Sequence, residues 1–323
     1  MNRRTALSRI AAPALTSACA SPSPRSPSSP APSSPPPAAA GRAPGWPEVQ
    51  FGRLERWANF ASRHVDSRPV DIWLPPSYDG SRAHAVLYMH DGQMLFDPHA
   101  TWNRQAWQVD RVAAPLQSAG QLREFIVVAP HNNGRWRHAE YYPQKFLPHL
   151  PGAQRDAFVT RALLGRPQAD AYLRFLVEEL KPAIDARYRS LPGPADTALM
   201  GSSMGGLISI YGLLEYPQVF ATAAALSVHW IATYEQNDEF PAAAAAYLRE
   251  KLPAPGSLRL YMDRGTTELD ALYGPAQDRI DRLLAERGHR PPQVISQVFE
   301  GTGHNETAWN ARLAIPLRFV FGR

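Results

Sequence analysis

The chain of 323 residues contains a single cysteine, Cys19, so a disulfide bond within the chain is excluded. It also lacks a long apolar run. The apolar stretch at residues 10–18 is too short to span a bilayer stably, and the sequence predicts no transmembrane helix. With 44% apolar residues, the chain is long enough for one large α/β domain with a sizeable core.

Acidic residues are absent from residues 1–45, which contain five arginines. These five account for the whole formal charge of +5, because the other 29 basic residues are balanced by 29 acidic residues. The rest of the chain is formally neutral. The high isoelectric point therefore does not indicate nucleic-acid binding, and no nucleic-acid partner is predicted.

The first 19 residues have the features of an export signal. Paired arginines at positions 3 and 4 precede the short apolar run, and the sequence Leu-Thr-Ser-Ala-Cys follows at residues 15–19. Small residues before a lone cysteine resemble the lipobox of bacterial lipoproteins, and a plain cleaved signal is the alternative. We therefore expect an exported protein, periplasmic or tethered to the outer membrane through a lipid on Cys19.

Residues 20–47 consist almost entirely of serine, proline and alanine. Such a segment cannot bury enough apolar surface to offset the entropy lost on ordering. We interpret it as a disordered spacer that joins the export signal to a globular domain at residues 48–323.

The globular part alternates between predicted strands and predicted helices. Alternation of this kind predicts a doubly wound, mainly parallel sheet, with two antiparallel strands at its N-terminal edge. The predicted strands cover residues 49–60, 63–74, 85–89, 125–129, 198–200, 222–227, 258–262 and 293–299. The predicted helices cover residues 105–117, 169–187, 205–215, 241–251, 275–287 and 309–319, whereas residues 134–167 show no clear period and are predicted as a loop.

A Gly-x-Ser-x-Gly pattern centred on Ser203 follows the apolar strand at residues 198–200. This pattern is typical of a nucleophile elbow, a tight turn that lifts a serine hydroxyl clear of the sheet. Gly201 and Gly205 would allow the strand and the following helix to pass closely. The helix would point its free N–H groups at the reacting centre.

A histidine and several carboxylates follow the last two predicted strands. His304 lies in Gly-Thr-Gly-His after the last strand, and Asp263, Glu268 and Asp270 follow the strand before it. The order serine, acid, histidine is that of α/β-hydrolases. The residues alone leave all three carboxylates open as the acid.

Four segments together resemble the esterase D-like family of α/β-hydrolases, which includes enterochelin, feruloyl and acetyl xylan esterases and mycolyltransferases. They lie at residues 88–97 (Tyr-Met-His-Asp-Gly-Gln-Met-Leu-Phe-Asp), 201–206, 265–270 and 300–306. The resemblance covers residues 48–323 and implies an α/β-hydrolase fold.

The resemblance implies that Ser203 is a nucleophile and His304 its base. Related esterases carry an acid three residues after the glycine, which favours Glu268 over Asp270 and Asp263. It also implies an oxyanion hole made by the backbone N–H groups of Gln93 and Met204, and no cofactor. His90 and Asp91 are interpreted as hydrogen-bonding residues that shape the loop, since no zinc-type spacing of histidines accompanies them, and no metal site is predicted.

Three side chains on loops at strand ends are candidate substrate contacts: Trp136, His229 and Trp230. The predicted function is hydrolysis of a small-molecule or carbohydrate-linked ester through an acyl-enzyme. Two alternatives stay open, an acyltransferase with a carbohydrate acceptor and a tethered binding protein with a disused esterase site.

Overall fold

A computed structural model of the protein describes residues 46–323. The predicted export signal, Cys19 and nearly all of the predicted spacer lie outside the described residues. Within residues 46–323, no helix is both long enough and apolar enough to cross a membrane.

Eight strands of the described chain form one sheet in the order β1-β2-β4-β3-β5-β6-β7-β8. β1 pairs antiparallel with β2, and β2 pairs antiparallel with β4, whereas the other neighbouring strands are parallel. The mainly parallel sheet with antiparallel N-terminal strands is therefore confirmed. The strands are β1 (Arg53–Phe60), β2 (Arg68–Leu74), β3 (Ala85–Met89), β4 (Phe125–Pro130), β5 (Thr197–Ser202), β6 (Thr222–Leu226), β7 (Arg259–Arg264) and β8 (Val294–Val298).

Helices connect the parallel strands. They are α1 (Val109–Ser118), α2 (Arg137–Tyr141), α3 (Gly152–Arg161), α4 (Ala169–Arg174), α5 (Lys181–Arg187), α6 (Met204–Glu215), α7 (Glu239–Lys251), α8 (Gly274–Glu286), α9 (Glu306–Arg312) and α10 (Ala314–Phe321). A π-helical segment, Phe175–Leu180, joins α4 to α5, so the helix predicted at residues 169–187 is continuous. The closing helix predicted at residues 309–319 is divided between α9 and α10.

The prediction of a loop at residues 134–167 is wrong in one respect, because much of this segment is helical. It contains α2, α3 and a 3₁₀ segment, Gln144–His149. These helices are short, and aromatic side chains attach them to the core instead of a regular apolar stripe. Phe158 of α3, for example, packs against Phe240 of α7 at a ring-centroid distance of 4.7 Å. A helix of five to ten residues has too few turns for a hydrophobic period to be recognised in its sequence.

Alternate residues of the central strands feed two apolar layers, one on each face of the sheet. In β3, Val86 and Tyr88 belong to one layer, and Leu87 and Met89 belong to the other. All four side chains are fully buried. Because both faces are covered, the polar residues that follow the parallel strands collect at the carboxyl-terminal edge of the sheet, where doubly wound folds bind ligands.

Candidate active site

Ser203 sits in a strained turn between β5 and α6. Its backbone has φ 58° and ψ −122°, a combination that residues with a side chain rarely adopt. A Cβ atom at Gly201 would lie 2.7 Å from the backbone of Gly205, so the strand and the helix pass too closely for any side chain there. The Ser203 N–H donates to the carbonyl of Leu226 at 2.9 Å, which ties the turn to β6.

His304 lies on the loop between β8 and α9. Its ring is held edge-on between Tyr273 and Trp309, at centroid distances of 5.5 Å and 5.1 Å. Its Nδ1 atom is 2.6 Å from Oδ1 of Asp270. Because an ionised carboxylate only accepts, Nδ1 carries the hydrogen and Nε2 is left free to accept a proton.

Asp270 is fully buried beneath this imidazole. Its second oxygen, Oδ2, accepts the Ser227 hydroxyl and the Gly265 N–H, both at 2.6 Å. Burial acts to raise the pKa of the Asp270 carboxyl, but the hydrogen bond and charge of His304, together with the bonds from Ser227 and Gly265, hold that pKa below its usual value. Asp270 is therefore a carboxylate built to stay ionised beside an imidazole.

The two other candidate acids have different partners. Glu268 accepts the backbone N–H of His304 at 2.8 Å and the side-chain amide of Asn305 at 3.1 Å, so it shapes the loop that carries the imidazole. Asp263 forms a buried ion pair with Arg312, with Oδ1 2.9 Å from Nη2. The preference for Glu268 is therefore not supported by the geometry. The Glu268 carboxylate bonds the backbone of His304 and the amide of Asn305, whereas Asp270, the alternative candidate, lies beside the imidazole ring of His304.

Ser203 and His304 open into one cleft of about 370 Å³, within the size range of small-molecule sites. Gln93 and Met204 line the same cleft. Met204 is the first residue of α6, where helix geometry leaves the backbone N–H without an intrahelical acceptor. Gln93 lies in the 3₁₀ turn Gly92–Met94. The two residues predicted as oxyanion donors thus stand at the same cleft as the serine.

The loop that carries Gln93 is held by Asp91. The Arg137 guanidinium donates to both carboxylate oxygens of Asp91, at 2.7 Å and 2.9 Å, and Asn132 donates at 2.7 Å. Burial acts to raise the pKa of Asp91, and the charge of Arg137 with these hydrogen bonds holds it below its usual value. His90, the preceding residue, is buried with Nδ1 2.9 Å from the hydroxyl of Tyr172. These contacts agree with a loop-shaping role for both residues.

The comparisons with known proteins decide the family. The model of the "Putative esterase" family matches residues 62–319. The chain belongs to this family. It is therefore a carboxylic ester hydrolase with an α/β fold.

Individual relatives are distant. Over 274 residues, the esterase is 24% identical to uncharacterized protein YbbA of Bacillus subtilis, covering 82% of this chain and 97% of that protein. A ferulic acid esterase structure aligns with a TM-score of 0.60 at 19% identity, over 84% of this chain and 98% of that one. The enterobactin esterase FES from Shigella flexneri aligns with a TM-score of 0.60 at 17% identity, over 87% of this chain and 63% of that one.

The three residues predicted to contact the substrate of this esterase lie in three different places. His229 lines the cleft, buried, with Nδ1 2.6 Å from the hydroxyl of Tyr273. Burial lowers the pKa of His229 to about 3, so its imidazole is neutral near pH 7. Trp230 points into the apolar core and donates its indole N–H to Gln277 at 2.8 Å, which is inconsistent with contact to a substrate. Trp136 is half-buried outside the cleft lining, with the Arg135 guanidinium 4.6 Å from its ring centroid.

Sequence reasoning missed several residues of the cleft. Arg137 lies in the segment predicted as a loop, and no motif marks it. Trp102 and Tyr234 line the cleft while 85% and 73% exposed, so their rings stand at its mouth. Exposed large aromatic side chains are the signal that marks such residues, but exposure is visible only after folding.

Proposed function

We propose that this esterase cleaves its substrate through an acyl-enzyme formed on Ser203. The single observation that carries the proposal is the imidazole of His304, bonded to the buried Asp270 at 2.6 Å and lining the same cleft as Ser203. The strained turn that presents Ser203 supports the same role, since strain of this kind is stored at functional sites.

In the first half of the reaction, the Ser203 hydroxyl attacks the ester carbonyl carbon and His304 Nε2 takes the hydroxyl proton. Asp270 holds the ring by Nδ1–H and stabilises the imidazolium that forms. The negative oxygen of the tetrahedral intermediate accepts hydrogen bonds from the backbone N–H groups of Gln93 and Met204. The C–O bond then breaks, and the imidazolium returns the proton to the leaving alcohol.

In the second half, water replaces the alcohol. His304 removes a proton from the water as it attacks the acyl carbonyl, and the same oxyanion donors stabilise the intermediate. Collapse releases the carboxylic acid, and the proton returns from His304 to Ser203. Each step uses groups that line the cleft or lie beneath it, with Asp270 ionised throughout.

Two exposed aromatic side chains in the cleft lining support an ester with a planar ring as the substrate class. Trp102 and Tyr234 expose their rings at the mouth, where a flat group can stack on them. Relatives of the same fold are named for ferulic acid and enterobactin, both of which carry aromatic rings. We propose small-molecule or carbohydrate-linked aromatic esters as substrates.

The decisive experiment is Ser203→Ala. Turnover of a chromogenic short-chain ester and of a feruloyl ester should fall by at least about 10⁴-fold, because no other group replaces the nucleophile. Mass spectrometry after a brief reaction should find the acyl group on Ser203 of the wild-type protein. Ser202→Ala is the matched control, since it changes the neighbouring serine and should retain turnover. A Ser203→Ala protein with wild-type turnover would sink the proposal.

We also propose that the protein is exported and begins, when mature, at a lipid-modified Cys19. The lone cysteine, the small residues before it and the spacer after it support this assignment. Mass spectrometry of the exported protein should find diacylglycerol on the cysteine sulfur, and Cys19→Ser should release the protein from membranes. An unmodified N-terminus beyond residue 19 would contradict the proposal.

A further inference from the structure

A chain of buried polar groups continues behind Asp270. Ser227 donates its hydroxyl to Asp270 Oδ2 at 2.6 Å. The same hydroxyl oxygen accepts the Trp309 indole N–H at 2.9 Å and an Arg312 N–H at 3.1 Å. Arg312 is bound in turn by Asp263, and Ser227, Asp263 and Arg312 are all buried.

The donor and the acceptor of each hydrogen bond around Ser227 follow from the groups that its partners carry. Trp309 and Arg312 have only donors to offer, so together they occupy both lone pairs of the Ser227 oxygen. The single hydroxyl hydrogen has one acceptor left, the carboxylate of Asp270. Ser227 is therefore saturated, with one bond given and two received, and its hydroxyl cannot rotate without losing a partner.

The backbone at Ser227 is also specialised. Its φ is 47°, in the left-handed region that favours glycine, and it directly follows β6. Its N–H donates to the carbonyl of Asp263 at 2.7 Å, which holds the turn against β7. A glycine would adopt this conformation with less strain, so the serine is accounted for by its hydroxyl and not by the turn.

Asp270 is oriented through one of its two oxygens. Ser227 and Gly265 both bond Oδ2, and this leaves Oδ1 directed at Nδ1 of His304. Two bonds on one oxygen prevent the carboxylate from turning about its own axis. We propose that Ser227 is a positioning residue for Asp270, and that the buried Asp263–Arg312 pair fixes Ser227. Ser227 acts on the reaction only through Asp270, so this inference rests on the proposed role of Asp270 and His304.

The test is Ser227→Gly, which removes the hydroxyl at a φ that glycine accepts readily. We expect kcat to fall by about 10- to 100-fold, the effect of a small misplacement of a catalytic group, while KM stays within about twofold. Thr197→Val is the matched control. It removes a buried hydroxyl that donates to the carbonyl of Gly193 at the start of β5, and kcat should be unchanged. Thermal unfolding is measured for both variants.

A folded Ser227→Gly protein with kcat within about twofold of wild type overturns the proposal. If that variant does not fold, Ser227→Cys takes its place, since a thiol keeps the side chain but is a weak donor. The same loss of kcat at constant KM is then expected, and wild-type kcat overturns the proposal.

The double variant Asp263→Asn with Arg312→Gln tests the second half of the inference. It removes both charges at once and so leaves neither buried charge alone. A fall in kcat at constant KM supports the anchoring of Ser227, and unchanged kcat overturns that half. Ser203→Ala is measured beside these variants. If it retains turnover, the proposed function fails; if it is inactive while Ser227→Gly equals wild type, only the positioning role fails.

Discussion

The two sides of the cleft each hold a carboxylate against a cationic or basic side chain, but the partners differ. On the side formed after β3 and β4, Asp91 faces the guanidinium of Arg137 at 2.7 Å and 2.9 Å. On the side formed after β7 and β8, Asp270 faces the imidazole of His304 at 2.6 Å. In both cases burial acts to raise the pKa of the carboxyl, and the partner holds it below its usual value.

The identity of the partner decides what each carboxylate can do. A guanidinium stays charged at every relevant pH, so the pair at Asp91 can hold the loop of Gln93 but cannot exchange protons. An imidazole can accept a proton at one ring nitrogen while the other donates to a carboxylate, so the pair at Asp270 can stabilise a proton that arrives and leaves. The two pairs have similar geometry, but their partners differ. We therefore expect substitution of Asp270 to lower kcat and substitution of Asp91 to lower the free energy of unfolding.

Among the substitutions that test this comparison, Asp270→Asn is expected to have the largest effect. An amide of the same size cannot stabilise the imidazolium and favours the wrong tautomer of His304, so kcat should fall by about 10³- to 10⁴-fold. Thermal stability should change much less than activity, and initial rates with a chromogenic ester measure the effect. A retained rate would remove the distinction between the two sides.

Glu268→Gln sharpens the same comparison. Gln keeps an oxygen that can accept the backbone N–H of His304, so kcat should stay within about threefold of wild type, in line with the small net contribution of one hydrogen bond. The opposite pattern, with Glu268→Gln inactive and Asp270→Asn active, would restore Glu268 as the acid.

On the other side of the cleft, Asp91→Asn should act mainly on stability. The substitution keeps the shape of the side chain but leaves Arg137 without a charged partner, at a cost of about 2 kcal/mol in the free energy of unfolding. The value of kcat should fall less than tenfold. Denaturant unfolding measures the first effect, and Asp278→Asn, at an exposed position of α8, is the control that should change the free energy of unfolding by less than about 0.5 kcal/mol. A collapse of kcat at full stability would place Asp91 in the chemistry.

Features that depend on local spacing were accessible from the sequence. The elbow at Ser203 needs small residues at fixed positions because the strand and the helix nearly touch, and this requirement appears directly as Gly-x-Ser-x-Gly. The sheet was predictable because buried parallel strands are continuous apolar runs. The loops that carry His304 and Asp270 follow strands at the same edge of the sheet as the turn of Ser203.

The directions of side chains within irregular segments could not be predicted from the sequence. Glu268 and Asp270 are two residues apart in one 3₁₀ segment, and the positive φ of Glu268 turns its side chain to the backbone of His304 while Asp270 faces the ring. The adjacent residues His229 and Trp230 likewise point to the cleft and to the core. No periodic pattern indicates such directions, because each is set by contacts from distant segments.

The last prediction concerns His90, beside Asp91, and its effect appears only in how the free energy of unfolding depends on pH. Burial lowers the pKa of His90 to about 4, the charge of Asp91 acts to raise it, and Arg137 lowers it further. From about pH 6.5 down to pH 4, the unfolded chain binds a proton at this histidine and the folded chain does not. The free energy of unfolding therefore decreases as pH falls, by about 1.4 kcal/mol per pH unit.

His90→Gln should flatten the dependence of unfolding free energy on pH by about that slope, even if the variant is less stable at pH 7. Thr197→Val, which changes no titratable group, is the control that should keep the wild-type slope. A His90→Gln protein with the wild-type slope would show that the Asp91 side of the cleft takes up a proton in the folded state, and the contrast with the Asp270 side would then be one of degree.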